Sequence, residues 1–252
     1  MGRMKFSEIA GCSAATILLG LALSPVGAHA TTLSNLIAGS TLIQGDVTFD
    51  NFAFTDFFDS ETPFAGDRPV SASQIEITTA ATASTVSLTA TIAPGISIAG
   101  APPGTNLDHI FEFFLDFTVS VAAPSTRQII GASLGGGDLS ASGDAVSEVV
   151  FAPGGFSIPG DRLEIFEAPG FVPSSASSDS QSLTAASSYL FEGSIEGNTG
   201  VGGMAGLSTF TLTFDLAGNA PPGPAPVPIP ASLPLLLGAL AGLGLLHRRP
   251  RG

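Results

Sequence analysis

The chain has 252 residues, 44% of them hydrophobic and 12% charged, with 31 glycines and 19 prolines. Eight lysines and arginines stand against 21 acids, which argues against a nucleic-acid partner. A single cysteine excludes an intramolecular disulfide framework and a cysteine-based zinc cluster, and the Gly and Pro content is too low for a collagen-like or wholly disordered chain.

The first thirty residues read as a secretory signal peptide. Arg3 and Lys5 supply a positive start, Ala14 to Leu23 an apolar core, and Ser24-Pro25 its end. Ala28-His29-Ala30 is an A-x-A cleavage signal, so signal peptidase is expected to cut after Ala30 and leave Thr31 at the mature start. Ile9-Ala10-Gly11-Cys12 has the local form of a lipidation site, but its apolar core follows the cysteine instead of preceding it. A short transmembrane anchor is the other reading of this segment.

Residues 31–219 form the body. Twenty of the 21 acids lie here against Arg68, Arg127 and Arg162, which gives a net charge of −17 with no lysine. Such a surface stays soluble and repels anionic lipid and nucleic acid. Alternation of period two dominates. Phe111, Phe113, Leu115, Phe117, Val119 and Val121 share one parity, and Glu112, Asp116, Thr118 and Ser120 the other. Phe114 is the one large apolar residue on that second face. Val86 to Ile92 and Phe210 to Leu216 alternate in the same way, and Gln74 to Thr79 and Tyr189 to Glu196 do so over shorter lengths. In Asp46 to Phe54 the parity switches at Asp50-Asn51, which predicts a bulge or tight turn.

Breakers separate these runs: Pro94-Gly95, Ala101-Pro102-Pro103-Gly104, Gly135-Gly136-Gly137, Pro153-Gly154-Gly155, Pro159-Gly160 and Pro169-Gly170. The triple glycine reads as a flexible hairpin, and the serine-rich Pro173 to Ser182 as a mobile surface loop. The expected fold is all-β: one β-sandwich or jelly-roll-like exported domain, flanked by the signal peptide and a short apolar C-terminal helix.

The body offers no catalytic motif. Its one histidine, His109, would have to serve any Ser-His-Asp triad. Gly131-Ala132-Ser133-Leu134-Gly135 has the spacing of a nucleophile elbow, but no helix is predicted after it. Twenty acids make any carboxylate pair uninformative, and the absence of Trp weakens a carbohydrate reading. No cofactor is expected. Calcium is the alternative, at Asp56, Asp59 and Glu61 or at Asp161 and Glu164.

Residues 220–226 are a proline-rich spacer with polyproline character. Residues 227–252 follow as a unit: Val227-Pro228-Ile229-Pro230-Ala231, an apolar run from Leu233 to Leu246, and a basic stop of His247, Arg248, Arg249, Pro250 and Arg251. As a helix the apolar run is about 21 Å long, against a bilayer core of about 30 Å. The positive-inside rule keeps Arg248, Arg249 and Arg251 cytoplasmic and leaves the body outside. The order of motif, short apolar run and arginines resembles the PEP-CTERM sorting signal, in the variant that reads Val-Pro-Leu-Pro-Ala, with Ile229 in place of the leucine. The resemblance implies a Gram-negative envelope protein, held in the inner membrane by its tail, processed near the motif by an exosortase, then released or passed to the cell surface. A plain single-pass anchor and a GPI signal are the other readings of this tail.

Gly45-Asp46-x-x-Phe49-x-Asn51-Phe52, with Ser147-Glu148 and Thr209-Phe210-Thr211, also resembles the exported β-domain common to many PEP-CTERM proteins. That resemblance implies an extracellular β-rich domain and assigns no site. The leading expectation is a non-enzymatic envelope or extracellular protein, structural or adhesive, within an exopolysaccharide matrix. A calcium- or glycan-binding module is the alternative, and a secreted hydrolase the third reading.

Overall fold

The computed structural model describes residues 30–59, 65–100, 108–156 and 161–219. Ala28, the sorting motif Val227 to Ala231, the apolar run and Arg248, Arg249 and Arg251 lie outside the described residues. The body is all-β, two antiparallel seven-stranded sheets packed face to face. Their strands, in chain order, are β1 (Ala30–Thr32), β2 (Leu42–Gln44), β3 (Val47–Asp56), β4 (Ile75–Ala81), β5 (Thr85–Ala99), β6 (Ile110–Val121) and β7 (Gln128–Gly135), then β8 (Leu139–Ser142), β9 (Val146–Pro153), β10 (Leu163–Glu167), β11 (Ser175–Ala176), β12 (Ser178–Ala186), β13 (Ser188–Asn198) and β14 (Met204–Ala217).

The first sheet runs β1-β4-β5-β14-β7-β12, with β8 also on β14; the second runs β11-β10-β9-β13-β6-β3-β2. The alternating runs place their apolar parity inward. Phe111, Phe113, Leu115, Phe117 and Val119 of β6 are buried, as are Val86, Leu88, Ala90 and Ile92 of β5 and Phe210, Leu212 and Phe214 of β14. Phenylalanines join the sheets. The Phe214 ring from the first sheet lies 5.1 Å from Phe191 and 5.8 Å from Phe49 of the second, and Phe210 lies 5.6 Å from Phe151. These tilted and edge-on contacts suit the ring quadrupoles, and each buried ring contributes about 2 kcal/mol by area.

Two chain crossings close the open seams between the sheets. On one side a short helix, α1 (Leu33–Ile37), carries the chain from β1 of the first sheet to β2 of the second and buries Leu33 and Leu36. The Thr79 hydroxyl of β4 donates to Gln44 Oε1 of β2 across the same seam, 3.3 Å, both residues buried. On the other side β11 pairs with β10 and, after Ser177, β12 pairs with β7 of the first sheet. There the Glu164 amide donates to Asp179 Oδ2 across the seam, 3.1 Å.

The parity switch in β3 is a bulge. Register with β6 slips between Asp50 and Ala53, and Asn51 sits at φ 52°, a left-handed conformation that asparagine tolerates better than most residues. Val47, Phe49 and Phe52 are consequently all buried despite their mixed parity.

Three expected interruptions are corrected. The Ser-rich Pro173 to Ser182 is no loop, because β11 and the start of β12 occupy most of it and cross between the sheets. The triple glycine is no hairpin: β7 and β8 lie end to end along the same edge of β14, and Gly136 at φ 62° starts the kink between them. Asp138 keeps that edge bonded, its amide donating to the Thr209 carbonyl and its carbonyl accepting from Ser208. Pro94-Gly95 does not end a strand. β5 continues through it because β4 stops pairing at Ile92, so no neighbour on that edge needs the missing amide hydrogen.

Candidate functional site

Ala30 and Thr31, which flank the expected cleavage bond, lie in β1 opposite Thr78 and Ile77. His109 is held structurally. Its Nδ1 lies 2.7 Å from the Ala99 carbonyl, its backbone exchanges hydrogen bonds with Thr199, and its ring fills the space above Gly66. Ser133 sits within extended β7, opposite Thr213 and Ser180, and not on a strand-to-helix turn. Asp56 is buried and accepts from the Val70 amide at 2.7 Å and the Phe58 amide at 3.3 Å, so it ties down the chain after β3. Glu61 and the Asp59 side chain lie outside the described part. Among the described residues no group of three His, Cys, Asp or Glu side chains could hold a metal ion.

A cleft of about 390 Å³ lies on the outer face of the second sheet. Its floor is built by register. Glu196 of β13 stands directly opposite Glu112 of β6 on one side and Glu148 of β9 on the other. In the next row Ser194 stands opposite Phe114 and Val150, and Val150 opposite Glu164 of β10. Phe114, Val150, Ser194, Glu148 and Glu196 line the cleft.

Its wall comes from Phe156, after β9, and Arg162, before β10. The Phe156 amide donates to Glu192 Oε2, 2.8 Å, so the Glu192 carboxylate fixes where the Phe156 ring lies. The Arg162 guanidinium stacks over that ring, 5.4 Å from its centroid, and both side chains border the cleft. Phe114, the aromatic outlier in the β6 alternation, is therefore not a core residue. It forms the cleft floor and is half-buried there.

Like charges directly opposite on a sheet face repel. Burial pushes the Glu148 carboxyl up to about 7, with Glu164 and Glu196 adding to the shift and Arg162 opposing it. Burial also raises Glu112, with Glu196 adding to it. Asp116, opposite Glu192 in the following row, is raised by burial and by Glu192 and lowered by a hydrogen bond from the Gly193 backbone. The cleft thus joins apolar walls to hydrogen-bonding acceptors, one hydroxyl and one guanidinium, the composition of a small-ligand site.

The first sheet presents a different outer face. Thr89 of β5 stands between Thr78 and Thr211, Ser87 between Ala80 and Thr213, and Ser133 between Thr213 and Ser180. Thr89 and Thr211 share a hydroxyl hydrogen bond of 2.9 Å. Glu76 and Asp215 stand in the rows on either side of these.

Of the residues that carry the second resemblance, Phe49, Phe52 and Phe210 are buried in the core, and Glu148 lines the cleft. Ser147 is buried and bridges the sheets, its hydroxyl donating to the Ser140 carbonyl at 2.8 Å and accepting from the Gly206 amide at 3.0 Å. Sequence alternation flagged Phe114. It could not flag the glutamate row, because residues 112, 148 and 196 meet only through strand pairing. No family model matches the chain, and no curated protein matches it. Among the described residues no helix is long and apolar enough to cross a membrane.

Proposed function

We propose that this chain is an exported, non-enzymatic protein of the Gram-negative envelope, delivered by its signal peptide and cleaved near Val227 to Ala231 by an exosortase-type membrane enzyme. The inner membrane holds it through the tail before processing, and the body then serves at the cell surface or outside the cell. Its role there is structural or adhesive, within an exopolysaccharide matrix. The observation that carries the sorting step is the order of proline motif, apolar run and arginines at residues 227–251. The −17 charge of the body disfavours its adsorption to anionic lipid surfaces.

Cell fractionation with an antibody against the body, followed by intact mass measurement, tests this. Loss of residues 1–30 and of the tail beyond the motif, with the body outside the inner membrane, is the expected result. Full-length protein persisting in the inner membrane of cells that contain the processing enzyme would overturn the sorting step. A second reading, a glycan-binding module, is favoured by the cleft between Phe114, Phe156 and Glu196.

A further inference from the structure

We propose that the cleft on the outer face of the second sheet binds an amine-bearing sugar unit of a polysaccharide. The inference rests on the adhesive reading above and names the ligand class that the body would hold. Three features of one cavity point to it.

The first is size and wall chemistry. At about 390 Å³ the cleft lies toward the small end of ligand sites, which run from about 300 to 1,000 Å³. Phe114, Val150 and Phe156 offer apolar surface against which the C–H face of a pyranose ring packs. The second is polar placement. Ser194 stands between Phe114 and Val150, so a ring lying on those side chains meets a hydroxyl in the same row. Glu148 and Glu196, one row along, offer carboxylate acceptors to hydroxyls and to an amine.

The third feature is charge. Glu112 flanks Glu196 on the far strand, and Glu164 lies beside Glu148; Arg162 is the one base at the cleft and is already stacked on Phe156. A uronic acid or sulfated sugar would add a fourth like charge to the glutamate row. An ammonium group would instead add counter-charge to three directly opposed glutamates, which Arg162 offsets only in part and only at Glu148. The excess of acids over the single arginine selects the amine, and the apolar walls select a ring over an extended cationic side chain.

Titration calorimetry of the full-length protein across pH 6 to 8, a range that spans the Glu148 value of about 7, tests this with a glucosamine oligosaccharide carrying free amines. The controls are its N-acetylated form, a cello-oligosaccharide and polylysine. The free-amine oligosaccharide should bind at least about tenfold more tightly than the N-acetylated form, because one charged hydrogen bond is lost on acetylation. Glu196→Gln and Glu148→Gln should each weaken that binding by about tenfold while thermal melting shows a folded protein. Phe156→Ala should weaken it too.

Equal affinity for the free-amine and acetylated forms, or binding of neither, overturns the proposal. Polylysine binding as tightly, with Phe156→Ala without effect, would assign the face to cations in general and overturns the sugar. Binding of the cello-oligosaccharide that is lost in Phe156→Ala removes the amine while leaving an adhesive body. Failure of the adhesive reading itself would show as no retention of any glycan, and the fractionation experiment decides the sorting step separately.

Discussion

Arg127 and Asp46 form the one ion pair among the described residues, N to O 2.9 Å, with both side chains less than a tenth exposed. The Ser125 hydroxyl also donates to Asp46, and Arg127 Nη2 donates to the Ala83 carbonyl. One guanidinium thereby holds together the β2–β3 turn, the β6–β7 connection and the β4–β5 turn at one end of the sandwich. Removing one partner of such a pair leaves a buried charge. Arg127→Met is expected to cost about 3 kcal/mol in urea unfolding. Glu148 makes a different prediction. Its carboxyl is raised from 4.5 to about 7 by burial, so between those values the folded chain holds a proton that the unfolded chain has lost. Stability from this group is fully present below pH 4.5, falls as pH rises through the window, and is gone above about 7. Glu148→Gln should flatten the pH dependence of the melting temperature across that window and raise it at pH 8. A variant that follows the parent's profile would show that the outward row carries no such coupling.

At the scale of the strand, two inward glycines of β13 show what packing demands. A Cβ at Gly193 would come within 2.3 Å of the Phe151 ring and 2.8 Å of the Leu115 carbonyl; one at Gly197 would come within 2.2 Å of the Phe111 ring. β13 lies between β6 and β9, and the missing side chains leave room for phenylalanines of both neighbours. Gly193→Ala should destabilise the fold by about 1–3 kcal/mol through overpacking, read from chemical denaturation. Most strands were legible from alternation, because one face of each is buried and the other wet. The β3 bulge was legible for the same reason, as a parity switch at Asp50-Asn51. Breakers were less reliable guides. Pro94-Gly95 and the triple glycine look terminal in isolation, yet β14 runs alongside both and supplies hydrogen bonds on either side of each interruption. The serine-rich segment has little apolar patterning, since β12 is an edge strand with mostly exposed side chains.

For the whole molecule the charge distribution adds self-repulsion to the terms set by the core. Twenty carboxylates and three arginines share the body, and the acids of β6, β9, β10 and β13 crowd one outer face. Salt shortens the screening length from about 30 Å at 0.01 M to about 8 Å at 0.15 M. The melting temperature is therefore expected to rise with sodium chloride over that range, and more in the parent than in a Glu112→Gln, Glu196→Gln double variant. Equal salt responses would place the repulsion elsewhere on the surface.

Composition and periodicity alone determined the acidic all-β body, the inward parity of its long strands and the reading of both termini, because each depends only on residues near one another in the chain. The glutamate row, the cleft, the ion pair at the sandwich end and the two seam closures were decided by tertiary structure. Each brings together residues tens of positions apart through strand order and register, and a one-residue slip in pairing would turn the row to the opposite face. Local sequence specifies which side of a strand is wet; only the folded sheet specifies which wet residues become neighbours.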